Sequence, residues 1–75
     1  MKNIIVVCEY GWIICGKGSA DSLELTDAAV VRKWSNGRGI GGLAKAEYKD
    51  EYTLDPIGDV TINPDKALFV IPCEW

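Results

Sequence analysis

Asn3-Ile4-Ile5-Val6-Val7-Cys8-Glu9-Tyr10-Gly11-Trp12-Ile13-Ile14-Cys15-Gly16 is the stretch that decides the fold. Residues 3–8 are a short β-branched run that stops at Glu9-Tyr10-Gly11, and residues 12–16 are a second run of the same kind. Branched side chains suit the pleated surface of a sheet, and a glycine in the break lets the chain reverse, so the pair reads as a hairpin. Gly16, Gly18, Ser19 and Asp21 then mark a loop. In residues 22–26, Leu23 and Leu25 alternate with polar neighbours, which predicts a half-exposed strand. Asp27 turns the chain into a further strand over 28–34, where Ala28, Val30, Arg32 and Trp34 share one face and Ala29, Val31 and Lys33 the other.

The pattern changes at Ser35-Asn36-Gly37-Arg38-Gly39. Ile40, Leu43 and Ala44 then fall at i, i+3 and i+4 and predict one short helix over 40–48, weakened at its start by Gly41 and Gly42. Residues 49–56 are polar and end in a proline turn, 58–62 read as a short strand, and Asn63-Pro64-Asp65 as another turn. Residues 66–73 form the last strand, with Pro72 at an edge or where pairing stops. The chain contains no internal repeat and no low-complexity tract. The expected fold is mainly β: a small antiparallel β-sandwich or partly open barrel of five to six short strands with one short helix, in a single domain over 1–75. The strands follow one another too closely for parallel crossovers.

Composition narrows the function. The chain has 75 residues, 48% hydrophobic and 25% charged, which are globular values. A chain of this size buries only about 60–65% of its unfolded surface, so the core is thin. Its net charge of −3 makes direct nucleic-acid binding a poor expectation. It has no histidine, and so lacks the commonest general base, proton shuttle and metal ligand. Neither an enzyme nor a metal or cofactor site is expected. Cys8, Cys15 and Cys73 are odd in number, without CxxC spacing and set in apolar runs, so they read as reduced core thiols. Glu9 interrupts the apolar N-terminus too early for a signal peptide, and no run approaches the ~20 residues of a membrane span. The expected setting is therefore a reducing cytoplasm, away from membranes.

Gly37-Arg38-Gly39-Ile40-Gly41-Gly42 formally satisfies GxGxxG. A dinucleotide fold needs a parallel sheet, however, and only 33 of the 75 residues follow Gly42. Two readings stay open: a turn that only reverses the chain, and an anion site built on backbone amides. Charge favours attention to the second. Residues 32–49 hold five bases, Arg32, Lys33, Arg38, Lys45 and Lys49, against one acid, Glu47, a net of +4 in a chain whose remainder is −7. Such a segment can localise one anionic ligand. Arg32 and Arg38 offer phosphate forks, Gly39, Gly41 and Gly42 offer amides, and Trp34 offers a stacking face. Each also has a plainer role: Trp34 as core, and Lys45 and Lys49 as a solvated face.

Asp50, Glu51, Asp55, Asp59 and Asp65 form an acidic stretch. It lacks the alternating ligands and closing Glu of an EF-hand, so solubility and the protection of sheet edges account for it, with mimicry of a nucleic-acid backbone as the sharper alternative. Nucleophilic catalysis has little to work with, since cysteine lacks a histidine partner and no serine sits in GxSxG.

Five segments carry a resemblance across nearly the whole chain. They are Gly11-Trp12-Ile13-Ile14-Cys15-Gly16, Leu25-Thr26-Asp27-Ala28-Ala29-Val30-Val31-Arg32-Lys33-Trp34, Gly39-Ile40-Gly41-Gly42-Leu43-Ala44, Leu54-Asp55-Pro56 and Val70-Ile71-Pro72-Cys73. In this order the sequence resembles a family of small proteins of unassigned activity encoded largely by tailed bacteriophages and prophages. It departs from the family at Asp27, where asparagine is typical. The resemblance implies a phage origin, and small phage proteins commonly act by binding. The leading expectation is a non-enzymatic accessory protein that binds an anionic, nucleotide-like small molecule as a homo-oligomer and sequesters a cyclic-nucleotide immune signal in the host cytoplasm. The alternatives are an inhibitor of a host defence protein acting through its acidic surface, and a minor virion or assembly component.

Overall fold

The computed structural model describes residues 2–34 and 37–75. Ser35 and Asn36, where the sequence reading ends a strand run, lie outside the described residues. Five strands, β1 (Asn3–Cys8), β2 (Ile13–Lys17), β3 (Glu24–Lys33), β4 (Thr53–Thr61) and β5 (Ala67–Pro72), form one open sheet in the order β4-β3-β2-β1-β5. Every pairing is antiparallel. The expectation of a mainly β, antiparallel chain of five to six short strands holds, with five strands present among the described residues. Among the described residues no second sheet stacks on this one.

Both faces of the sheet are apolar. Pairing places Ile5 opposite Cys15 and Ile71, and Cys15 opposite Ala29. Ile5, Cys15, Ala29 and Val31 lie in one buried cluster with Leu43, Ala44 and Tyr52 from the segment before β4, and the half-buried Ile71 packs against it. The second cluster joins Ile4, Val6 and Cys8 to Leu25 and Ala28, and Leu23 and Ile62 close it at one end. There the Ile62 N–H donates to the Leu23 carbonyl at 2.9 Å. Strands buried on both faces read as continuous apolar runs rather than alternating ones, which is why β1 and β2 were legible.

Three expectations need correction. The stretches 22–26 and 28–34 are not two strands about a turn. Glu24–Lys33 is one strand, and Asp27 (φ 49°) makes an irregularity in it, its N–H held by Asp59 Oδ1 at 3.3 Å. Aspartate tolerates this left-handed geometry better than most residues, so the strand kinks without ending. Residues 49–56 are not a polar turn before a strand at 58–62, because β4 begins at Thr53 and runs through Pro56. An edge strand tolerates proline, since its outward N–H has no partner to lose. The helix over 40–48 is replaced by two 3-10 turns, Ile40–Ala44 and Ala46–Glu51. Gly39, Gly41 and Gly42 disfavour α-helical propagation, and the sheet face beneath rewards tight turns that deliver Leu43 and Ala44 into the core.

The turns make a cover, and the C-terminal residues strap it down. The Glu74 N–H donates to the Ala44 carbonyl at 2.8 Å, the Trp75 indole Nε1–H to the Leu43 carbonyl at 2.7 Å, and the Ala46 N–H to Glu74 Oε1 at 3.2 Å. Lys49 places its ammonium 4.4 Å from the centre of the Trp75 ring. No helix among the described residues is long and apolar enough to cross a membrane.

Candidate functional site

The residues singled out by sequence divide between the two faces of the sheet. Trp34 does not share a face with Arg32. It packs with the covered cluster and meets Tyr52 with ring centroids 5.7 Å apart. The cause is a register irregularity between Val31 and Lys33, which shifts the alternation before Trp34 is reached. Trp34 is half-buried and its neighbours are core residues, so its ring is occupied in packing.

Arg38 and the glycines belong to the cover. The Arg38 guanidinium lies 3.7 Å from the centre of the Tyr48 ring, and its Nε–H donates to Glu51 Oε1 at 3.3 Å. Gly39, at φ 67°, offers its carbonyl to the Tyr52 hydroxyl. Gly42 is buried, and a Cβ there would collide with the Tyr52 hydroxyl and come within 2.7 Å of Arg38 Cβ. Gly41 is exposed with open space around it. At least Gly39 and Gly42 therefore have packing reasons for being glycine.

Arg32 is placed differently. It is exposed on the other face, with NH1 donating to Asp55 Oδ2 at 2.7 Å, and it lines two adjoining hollows. One, of about 410 Å³, runs from Arg32 and Asp55 past Val30 and Ile57 to Trp12 and Tyr10. The other, of about 370 Å³, extends from Arg32 and Asp55 to Lys33 and Thr53. On the far side of Trp12 an apolar hollow of about 350 Å³ is lined by Ile14, Val60 and Ile62. The three hollows adjoin as a groove, sharing Tyr10 and Trp12 at one junction and the Arg32–Asp55 ion pair at the other, with Lys33 beyond it.

The hairpin turn supplies the aromatic end. Glu9–Gly11 is a single 3-10 turn, and closing it requires Tyr10 at φ 62° and Gly11 at φ 79°. The left-handed region costs a non-glycine residue roughly 1 kcal/mol or more, and such strain gathers at functional loops. Tyr10 is 92% exposed and Trp12 58% exposed, so two large rings stand in solvent beside Arg32. Sequence reasoning missed both because it counted Trp12 as the first residue of an apolar strand and Tyr10 as a turn residue. The available signal was two aromatics within three residues at a hairpin tip.

Cys8, Cys15 and Cys73 are free and buried. Burial raises all three thiols above their ordinary range, and the neighbouring Cys15 helps to push Cys73 up to about 11. Protonated thiols of this kind are poor nucleophiles. Among the described residues, no group of three or more His, Cys, Asp or Glu side chains is arranged to hold a metal ion. In comparison with known proteins the chain matches no family model, no curated protein and no solved structure.

Proposed function

We propose that this is a non-enzymatic binding protein that captures a phosphorylated, nucleotide-like small molecule in the groove between Trp12 and Arg32. The observation that carries the reading is an exposed indole and an exposed arginine lining one hollow of about 410 Å³. Stacking a base on an aromatic ring contributes about 1–3 kcal/mol, and a guanidinium fork matches phosphate geometry. Asp55 holds one edge of Arg32 in place at 2.7 Å and leaves its other N–H groups for the ligand, while Lys33 adds a second positive charge. The carboxylate also offers an acceptor to an amino or hydroxyl group of the ligand.

The resemblance to small phage proteins supports the biological form of this reading: sequestration of a cyclic-nucleotide immune signal in the host cytoplasm by a homo-oligomer. The exposed indole beside Arg32 favours it over inhibition of a host protein through the acidic stretch, whose net charge is lowered where Asp55 and Glu51 each sit beside an arginine. Isothermal titration against mononucleotides, dinucleotides and cyclic nucleotides tests the proposal. At least one member should bind, and Trp12→Ala and Arg32→Ala should each weaken it at least about tenfold, a loss of about 1.4 kcal/mol. Absence of heat with every member, or full affinity in both variants, defeats it.

A further inference from the structure

The two edges of the sheet differ in kind. β4 carries Asp55, Pro56, Gly58 and Asp59, the charges and breaks that keep an edge strand from pairing with another chain. β5, Ala67-Leu68-Phe69-Val70-Ile71-Pro72, has no charge and no proline before its last residue. It nevertheless exposes 63% of Leu68 and 51% of Phe69. Among the described residues only β1 pairs with it.

The backbone fixes what this edge offers. The Cys73 N–H donates to the Asn3 carbonyl at 3.0 Å, so Cys73 faces β1, and by alternation Ile71 and Phe69 face it too. The Val70 N–H therefore points outward. So does the Leu68 carbonyl, because it belongs to the peptide unit whose N–H, on Phe69, points inward. Past Pro72 the edge is closed, since the outward Glu74 N–H is taken by the Ala44 carbonyl. Before Ala67 the chain leaves the strand in the 3-10 turn Pro64–Lys66. The open edge is thus confined to Ala67–Pro72.

We infer that this edge is a self-association surface, and that two copies pair antiparallel along β5 about a two-fold axis at Phe69. This register stays within the open window, asks no hydrogen bond of Pro72 and sets the exposed ring on its own copy: Phe69 meets Phe69 of the partner subunit, Leu68 meets Val70 of the partner subunit, and Ala67 meets Ile71 of the partner subunit. Each Val70 N–H then donates to a Leu68 carbonyl across the axis. Antiparallel pairing of this kind keeps faces aligned, so exposed phenyl packs on exposed phenyl and Leu68 on valine. A second copy is the occupant because the contact must suit a chain of net charge −3, and Ala67–Pro72 meets itself without opposing any like charges. A single strand pair buries less than the about 1,200–2,000 Å² of a standard interface, so the dimer is reversible and set by concentration. The product is a continuous ten-stranded sheet with β4, and the groove beside it, at each far end. The inference gives a surface to the homo-oligomer of the reading above but rests on the edge and not on the ligand, so ligand binding and edge pairing can fail separately.

Sedimentation of the unliganded chain over a wide concentration range, combined with crosslinking, tests it. A monomer–dimer equilibrium should appear, and Phe69→Glu should raise its dissociation constant at least about tenfold by opposing two carboxylates. Phe69 lies at a non-hydrogen-bonded position about 4.5 Å from its mate, within disulfide range, so Phe69→Cys should give a covalent dimer on mild oxidation. Thr61→Cys, on the guarded edge, should not. A thermal melt of each variant reports whether it folds. A monomer at every concentration, or equal crosslinking through Thr61→Cys, overturns the inference.

Discussion

Leu43→Ala is the sharpest perturbation of the cover. The Leu43 side chain is fully buried and lies in the same cluster as Ile5, Cys15, Val31 and Tyr52. Truncating a buried leucine costs about 2.7–5.0 kcal/mol, the spread reflecting how far the surroundings collapse into the space left. Here the cover is two short 3-10 turns, but it is strapped by the Glu74 and Trp75 hydrogen bonds and so relaxes only in part. A cost of about 3 kcal/mol follows. A 75-residue domain is stable by only about 4–11 kcal/mol in all. With a urea slope of about 1 kcal/mol per molar, the unfolding midpoint should fall by about 3 M, read by tryptophan fluorescence. A loss below about 1 kcal/mol would place Leu43 outside a packed core and refute the reading of residues 38–52 as a structural lid.

Other consequences are smaller or more selective. Gly42→Ala should destabilise by about 1–3 kcal/mol through overpacking against Tyr52 and Arg38, despite alanine's better local propensity, and calorimetric melting checks the sign. Arg32→Ala and Asp55→Ala should each change stability by no more than about 1 kcal/mol, because the pair is exposed, so any loss of ligand binding in them reads as a lost contact. Alkaline stability should follow the thiols. Cys73 holds its proton to about 11 in the folded chain, against an ordinary 9.0, so the unfolded chain gives up this proton first as pH rises. The contribution, of order 2–3 kcal/mol at about 1.4 kcal/mol per unit of pKa, is intact below pH 9 and lost between about 9 and 11. Cys73→Ala should flatten that limb of a urea-stability profile taken against pH.

Much of the fold was legible because β1 and β2 are branched apolar runs on either side of a glycine break, and no other element fits such runs at that spacing. The edge strand was harder to see. Asp55-Pro56 carries turn chemistry, and only its place at the margin of the sheet lets a proline sit in β4. The glycine segment carried two readings for a physical reason as well. Glycine permits close approach whether the approaching group is a phosphate or, as at Gly42, a tyrosine hydroxyl of the same chain. Counting alternate residues from Ala28 gave Arg32 its correct face but failed at Trp34, because one irregular step in register reverses every later assignment. Among the described residues, Arg32 is the candidate ligand residue that lines the hollows beside the aromatic hairpin tip. Its aromatic partner there is Trp12, which sequence reading placed inside a strand run.

The central claim is that any ligand lies across Trp12 and Arg32, while Trp34 and the glycine turn serve the fold. The indole N–H resonances of the three tryptophans, Trp12, Trp34 and Trp75, report on these places separately. Once a binding nucleotide is in hand from the titration panel, its addition to isotope-labelled protein should move the Trp12 indole signal strongly and leave those of Trp34 and Trp75 nearly still. A large shift at Trp34 with Trp12 unmoved would return the site to the glycine turn and contradict the account.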